Sequence, residues 1–419
     1  MLKKFLMVAT GAVLIALGVG EASYAATLNV IASGLDGPRG LTFAPDGSLY
    51  VTEAGRGGTG ACIPAPGSGA SGLVMCYGAT GAVTRIQNGI QERVVTGLPS
   101  IAVSIPELPV SFDATGPHDI QFDATGKAYV VVGLGSSPDQ RDNVLQIPDF
   151  GQLIAINQFN GGSSWTRLAD LAAYEGLYNP DNTGSSIYNP YQNGIDSNPY
   201  SFLIQGNNAY IVDAAGNDLL KVKTDGSGLE ALSVLPERPV TDPATGETIG
   251  MQSVPTAIAT GPDGALYVGE YTGYPNPDNA ARIFRFDSNG QPVVYADGFT
   301  QIVDIAFDNQ GGLYVLEFAS TSLQFANSLP SGVLIYLSPN GDRKTIASDG
   351  LLFPTALALG SNGDIYVSNQ GYLSGRGEIV RISVPESSNT ASMLAFGVFM
   401  TGSWLLRKHK SSSNAKNFI

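Results

Sequence analysis

VPTAIATGPDGALYVGE, Val254 to Glu270, contains an apolar run, a Pro-Asp-Gly turn, and a second apolar run that ends Tyr-Val before polar residues. Alternating apolar residues on both sides of a turn that supplies positive φ read as a β-hairpin. The phrase recurs as GPRGLTFAPDGSLYVTE (Gly37 to Glu53), GPHDIQFDATGKAYVVV (Gly116 to Val132), NPYSFLIQGNNAYIVD (Asn198 to Asp213), QIVDIAFDNQGGLYVLE (Gln301 to Glu317) and FPTALALGSNGDIYVSN (Phe353 to Asn369). Its tyrosines, Tyr50, Tyr129, Tyr210, Tyr267, Tyr314 and Tyr366, fall at a spacing typical of repeat architectures, with the first two intervals lengthened by insertions.

A second hairpin follows most copies: GAVTRIQNGIQERVV from Gly81, NDLLKVKTDGSGLEALSV from Asn217, ARIFRFDSNGQPVVYA from Ala281 and GVLIYLSPNGDRKTIA from Gly332. Two hairpins make a four-stranded antiparallel sheet, so the repeats predict an all-β, six-bladed β-propeller. The chain ends agree. One strand, GEIVRISV (Gly377 to Val384), follows the last copy, and an orphan strand, TLNVIASGL (Thr27 to Leu35), precedes the first. Ring closure by the N-terminal strand completing the last blade leaves no open edge, which an open solenoid would not explain. The 52 Gly and 25 Pro of the 419 residues suit such a turn-rich chain.

Three segments are expected: 1–26, 27–384 and 385–419. In the first, Lys3 and Lys4 precede an apolar run from Phe5 to Val19 and small residues through Ala25 and Ala26, the order of a secretory signal peptide. In the last, Val384-Pro385-Glu386 precedes an apolar stretch at 391–406 and the basic Arg407, Lys408, His409 and Lys410. That stretch is marginal for spanning a bilayer, and its basic end would stay cytoplasmic. The expected location is therefore exported: periplasmic, cell-surface or extracellular, with a transient or retained C-terminal membrane anchor.

The formal charge is −14, and the clustered basic residues lie at the two ends. A strongly acidic exported domain argues against nucleic acid or anionic membrane surfaces as partners. Cys62 and Cys76, the only cysteines, sit in one Gly/Pro/Ala-rich insertion. In an exported chain such a pair reads as a disulfide closing a flexible loop, ahead of a metal site without nearby histidine.

Propeller topology puts the tight turns on one rim and nearly all the long insertions on the other, where binding or chemistry belongs. Residues that begin the inner strands reach that rim: Arg39, His118, Asp119, Tyr200, Thr256, Asp304 and Thr355. So do residues that end the second strands: Glu53, Val132, Asp213, Glu270, Glu317 and Asn369. Glu53, Asp213, Glu270, Glu317 and Asn369 are candidate metal ligands, since a ring of oxygens suits Ca2+. Each carboxylate could instead accept loop N–H groups or pair with an arginine such as Arg39. His118, the only histidine outside the tail, is a candidate general base beside Asp119, or a hydrogen-bonded structural residue. Arg39, His118, Tyr200 and Tyr271 are the candidate ligand-binding set. Tyr174, Tyr178, Tyr188, Tyr191 and Tyr200 could stack on a ligand or pack their connection against the rim. No G-x-S-x-G, HExxH or phosphate loop occurs.

The repeat GPRGLTFAPDGSLYVTE resembles NHL-type repeats and the wider six-bladed, TolB-like propellers. PRGLTFAPDGSLYVTEAG, the Cys-bearing insertion, GAVTRI, GPHDI and VPTAIATGPDGALYVGEYTGYP together resemble the ScyD/ScyE family, associated with scytonemin biosynthesis in cyanobacteria. That resemblance implies an exported propeller linked to late steps in making an aromatic indole-phenol sunscreen. The tail resembles a PEP-CTERM sorting signal, implying an exosortase-like processing partner, although Ser387 stands where that pattern usually has a second proline. Six-bladed relatives include calcium-dependent lactonases and quinone-dependent sugar dehydrogenases, and fold alone does not choose among them. The expected function is that of an accessory factor binding a small aromatic or glycan-like ligand or a protein partner, in scytonemin-like or exopolysaccharide processes. The alternative is a metal-dependent hydrolase or lactonase, or a quinone-dependent oxidoreductase, at the channel mouth.

Overall fold

A computed structural model describes residues 27–65, 72–104, 110–160, 163–182, 194–287, 290–322 and 331–383. The segments expected to be a signal peptide (1–26) and a sorting tail (385–419) lie outside these residues, as do Tyr188 and Tyr191.

The repeated phrase forms hairpins because its alternating apolar residues face the neighbouring blades while a left-handed glycine reverses the chain. At Gly264, for example, φ is 77°, and its N–H donates to the Gly261 carbonyl. The six inner strands are Pro38–Phe43, Pro117–Phe122, Pro199–Gln205, Pro255–Thr260, Ile302–Phe307 and Ala356–Leu359. Each opens an antiparallel sheet, giving the six blades of a propeller. The last blade is Ala356–Leu359, Ile365–Asn369, Ser374–Ser383 and the N-terminal Thr27–Asp36, with Thr27 opposite Ser383 and Val30 opposite Val380. The ring therefore closes by the strand exchange expected from the two chain ends.

The core lies between blades. Tyr129, Val131 and Leu153 of the second blade pack against Phe202, Ile211 and Leu220 of the third. The repeat tyrosines reach across the same seams: Tyr50 to Phe122 at 4.9 Å, Tyr267 to Phe307 at 4.8 Å and Tyr366 to Phe43 at 5.2 Å between ring centroids. These contacts explain why the tyrosine recurs.

Insertions read as loops carry more order than expected. Residues 175–198 begin inside a helix, Leu171–Tyr178, whose N-cap Asp170 accepts the Ala173 N–H. The insertion at 236–253 folds into a hairpin, Arg238–Thr241 with Thr248–Met251. Cys62 and Cys76 form the expected disulfide, facing each other on paired strands Cys62–Pro64 and Val74–Gln87.

Candidate functional site

The second residue of each inner-strand motif, after its Pro or Ile, is Arg39, His118, Tyr200, Thr256, Val303 or Thr355. All six line one central cavity of about 290 Å³, joined by Asp119 and Asp304 from the following repeat position. Thus all seven residues expected at the beginnings of the inner strands meet, although they lie far apart in sequence.

Arg39 is buried, at 7% exposure, and its guanidinium is held by backbone carbonyls. Nη1 donates to the Gly371 oxygen, and Nη2 donates to the Ala114 oxygen at 2.7 Å. None of the ion pairs among the described residues includes it. Its charge is felt by Asp113, whose carboxyl is raised by burial and lowered in part by Arg39. A positive charge anchored by neutral acceptors keeps its attraction for an incoming anion.

His118 is a positioned, neutral imidazole. Its Nδ1 lies 3.0 Å from the Pro199 carbonyl oxygen, which fits an Nδ1–H donor, and its ring stands 5.1 Å from Tyr200. Burial first, and Arg39 second, lower its pKa to about 3. Such a group is a feeble general base near neutrality, which tells against the base role considered for it. A Cβ on Gly133 would lie 2.3 Å from His118 Cε1, so the bare glycine leaves the ring its place.

Asp119 and Asp304 bind blades together. The Asp119 carboxylate accepts the Ile120 N–H in its own strand and the Phe202 N–H of the next blade at 3.1 Å. Asp304 likewise accepts from Ile305 and, at 2.7 Å, from Leu357 of the next blade. Burial raises Asp119 to about 7 and Asp304 to about 8 against these hydrogen bonds. Thr256 and Thr355 make comparable links, donating to the carbonyls of Ile302 and Pro38. Asp119 thus links the second blade to the third while lining the cavity beside His118.

An aromatic arc lies beyond the Arg39 end of the cavity; its rings are not among the cavity's lining residues, and Phe318 and Phe353 are buried in the core there. Tyr271, Phe318, Phe353, Tyr372 and Phe112 follow one another with ring centroids 5.9, 5.5, 5.4 and 5.9 Å apart. Burial, followed by the fields of Tyr200, Asp113 and Tyr372, raises the Tyr271 phenol, which places these groups together. Burial pushes Tyr372 up to about 12. Tyr271 and Tyr200 were expected at a binding site. Phe318, Phe353, Tyr372 and Phe112 were not, although Phe318 occupies the same repeat position as Tyr271, four residues after the repeat tyrosine.

Neighbouring groups engage each of the five candidate metal ligands. Glu53, Asp213, Glu270, Glu317 and Asn369 are not among the residues lining the cavity; each secures the connection leading into its own blade. Glu53 accepts the Asp36 N–H, Glu317 the Thr300 N–H and Asn369 the Leu352 N–H, at 2.7, 2.7 and 2.8 Å. Glu270 accepts from the Ser253 hydroxyl, and Asp213 from the Ser197 hydroxyl and the Asn198 N–H. Glu53 also pairs with Arg93, and Glu270 with Arg238 and Arg282, not with Arg39. That neutral Asn369 does the same work as the carboxylates shows what the position is for. As the side chains stand, no group of three or more His, Cys, Asp or Glu among the described residues is close enough to hold a metal ion.

Of the remaining tyrosines, Tyr174 and Tyr178 pair on the helix at 4.7 Å, and the Tyr174 hydroxyl accepts the Ala231 N–H. Tyr174 thus packs its connection onto the third blade, away from the cavity lining.

No family model matches the chain, and no curated protein matches it. Solved structures similar to it include regucalcin, a calcium-binding protein from Agrobacterium tumefaciens, at 11% identity and TM-score 0.48, covering 86% of this chain and 95% of that one. A gluconolactonase from Xanthomonas campestris is 10% identical with TM-score 0.46, covering 85% and 90%. A PQQ-bound aldose sugar dehydrogenase from Streptomyces coelicolor is 12% identical with TM-score 0.44, covering 86% and 98%. At such identities the likeness extends to the propeller alone.

Proposed function

We propose that this chain is an exported propeller that binds a small planar aromatic ligand carrying an acidic group at the arc end of its central channel, acting as an accessory factor. The observation that carries the reading is Arg39, a buried cation held by carbonyls and left without a carboxylate partner among the described residues, close to an aromatic arc. Aromatic faces favour a planar ring, and the guanidinium favours its anionic substituent. The cavity, about 290 Å³, lies at the small end of ligand sites, which span roughly 300–1,000 Å³, and suits one or two rings better than a glycan chain.

Export rests on the charged and apolar order of the N-terminus, and processing by an exosortase-like enzyme rests on the tail with its Ser387. Resemblance to the ScyD/ScyE family gives the aromatic ligand a setting, an extracytoplasmic step in indole-phenol pigment formation. An exopolysaccharide ligand or a protein partner is less well matched to a small cavity containing a fixed cation. The hydrolase and oxidoreductase alternatives would draw on His118, which lines the cavity with Nδ1 at the Pro199 carbonyl, and on the blade-end carboxylates, which accept hydrogen bonds from their own connections.

Calorimetric titration with indole-3-acetate, indole and glucose tests the proposal. Indole-3-acetate should bind best, and Arg39→Gln should weaken it about tenfold, or ~1.4 kcal/mol, while leaving indole little changed. Equal binding of all three, or indifference to Arg39→Gln, would overturn it.

A further inference from the structure

A second concentration of chemistry lies off the axis, at the seam between the second and third blades. Glu175 projects from the helix Leu171–Tyr178, Asp181 follows that helix, and Asp196 precedes the third inner strand. Asp213 ends the next strand and Asp218 begins the one after it. The electrostatic fields of these acids overlap: Glu175 feels Asp213, Asp181 and Asp196, and Asp218 feels Asp213, Glu175 and Asp181.

Asp218 is completely buried, and neither of its carboxylate oxygens has a hydrogen-bond partner among the described residues. Glu175, 2% exposed, leaves Oε1 unpartnered, and Asp196 leaves Oδ1 unpartnered. No ion pair among the described residues reaches Glu175, Asp196, Asp213 or Asp218. Buried acids without hydrogen bonds or counter-charge are costly, and native folds rarely retain several together. Burial first and neighbouring acids second raise Glu175 to about 9 and Asp196 to about 7.

We propose that Glu175, Asp181, Asp196, Asp213 and Asp218 form a binding site for one calcium ion that locks the second blade to the third. The donors are all oxygens, and their number suits a hard cation that takes six to eight such ligands in flexible geometry. Asp213 is the fixed member: its Oδ1 accepts the Asn198, Ala215 and Gly216 N–H groups, and its Oδ2 accepts the Ser197 hydroxyl. The turn from Asp213 to Asp218 keeps small residues against the cluster. A Cβ on Gly216 would stand 3.0 Å from Glu175 Oε2 and 3.4 Å from the Asp213 carboxyl carbon. Asp181 and Asp196 are only half-buried and open a route from solvent. The side chains are not yet gathered closely enough to ligate one ion, so binding must draw them together against their mutual repulsion. This site is independent of the channel and of its ligand.

The test uses the exported chain, first stripped with chelator, in calorimetric and thermal-unfolding titrations with CaCl2. One calcium per chain should bind and raise Tm, and Asp218→Asn or Glu175→Gln should each weaken binding at least tenfold. Asp304→Asn, in the channel, should leave calcium affinity unchanged, which separates loss of the site from general damage. No heat and no Tm shift up to millimolar calcium would overturn the proposal. So would binding that both cluster variants retain in full, or that Asp304→Asn alone abolishes.

Discussion

The residue ending each second strand shows how one position can look functional and serve structure. Four carboxylates and an amide at equivalent places suggested a ring of ligands, yet each accepts a hydrogen bond from the chain about one repeat-hairpin earlier. Glu270 and Glu317 differ only in their company. Glu270 neutralises Arg238 and Arg282, whereas Glu317 has no ion pair among the described residues, and burial raises it to about 7. Glu270→Gln should therefore cost about 2 kcal/mol in chemical unfolding, the scale of hydrogen bonds to charged groups. Glu317→Gln should stay within about 1 kcal/mol of the parent, because an amide already does this work at Asn369. The reverse ranking would show that the position has another purpose. Spacing in the sequence places these side chains at blade ends and leaves ligation and hydrogen bonding to loop N–H groups or arginines both open; the bonds themselves appear only in three dimensions. Arg39 shows the converse: its repeat position reveals that it faces the channel, but its lack of an ion pair among the described residues is visible only in three dimensions.

At the level of strands and loops, local chemistry was readable wherever alternation and a glycine turn coincide. The hairpins at Leu41 opposite Val51 and Ile258 opposite Val268 follow directly from their patterns. The helix Leu171–Tyr178 escaped notice because eight residues with apolar positions on several sides display little periodicity, and only its Asp170 cap marks the start. The aromatic arc escaped for a different reason: its five rings come from four blades, and no local pattern joins Phe112 to Tyr372. The Cys62 to Cys76 disulfide anchors a short strand to the edge of the first blade, closing a 14-residue separation. Replacing both cysteines by serine should cost up to about 3 kcal/mol by loop entropy, concentrated locally. Hydrogen exchange should quicken at Met75 to Tyr77 while amides of the inner strands remain protected; uniform loss of protection would mean that the insertion supports the whole ring.

For the whole molecule, closure and burial of acids set the behaviour. Without Thr27–Asp36 the last blade has three strands and an open edge, so a chain beginning after Asp36 should lose cooperative thermal unfolding. An unchanged single transition would deny closure any energetic role. Asp119, Asp304 and Glu317, pushed by burial to about 7, 8 and 7, hold protons when folded that they release at about pH 4 when unfolded. The folded state binds more protons across that window, so their stabilisation is complete near pH 4 and fades as pH rises through about 8. Tm should accordingly be higher at about pH 5 than at about pH 9 in chelator; the opposite order would mean these acids are ionised in the fold. The blade count and closure were legible from six phrases and two complementary ends, whereas the proposed ligand site required the assembled ring. Its most direct test is a crystal structure of this chain with indole-3-acetate. The carboxylate is expected at the Arg39 guanidinium and the indole against the arc near Tyr372 and Phe353. Density on the outer surface alone, or an empty channel at a saturating concentration, would contradict it.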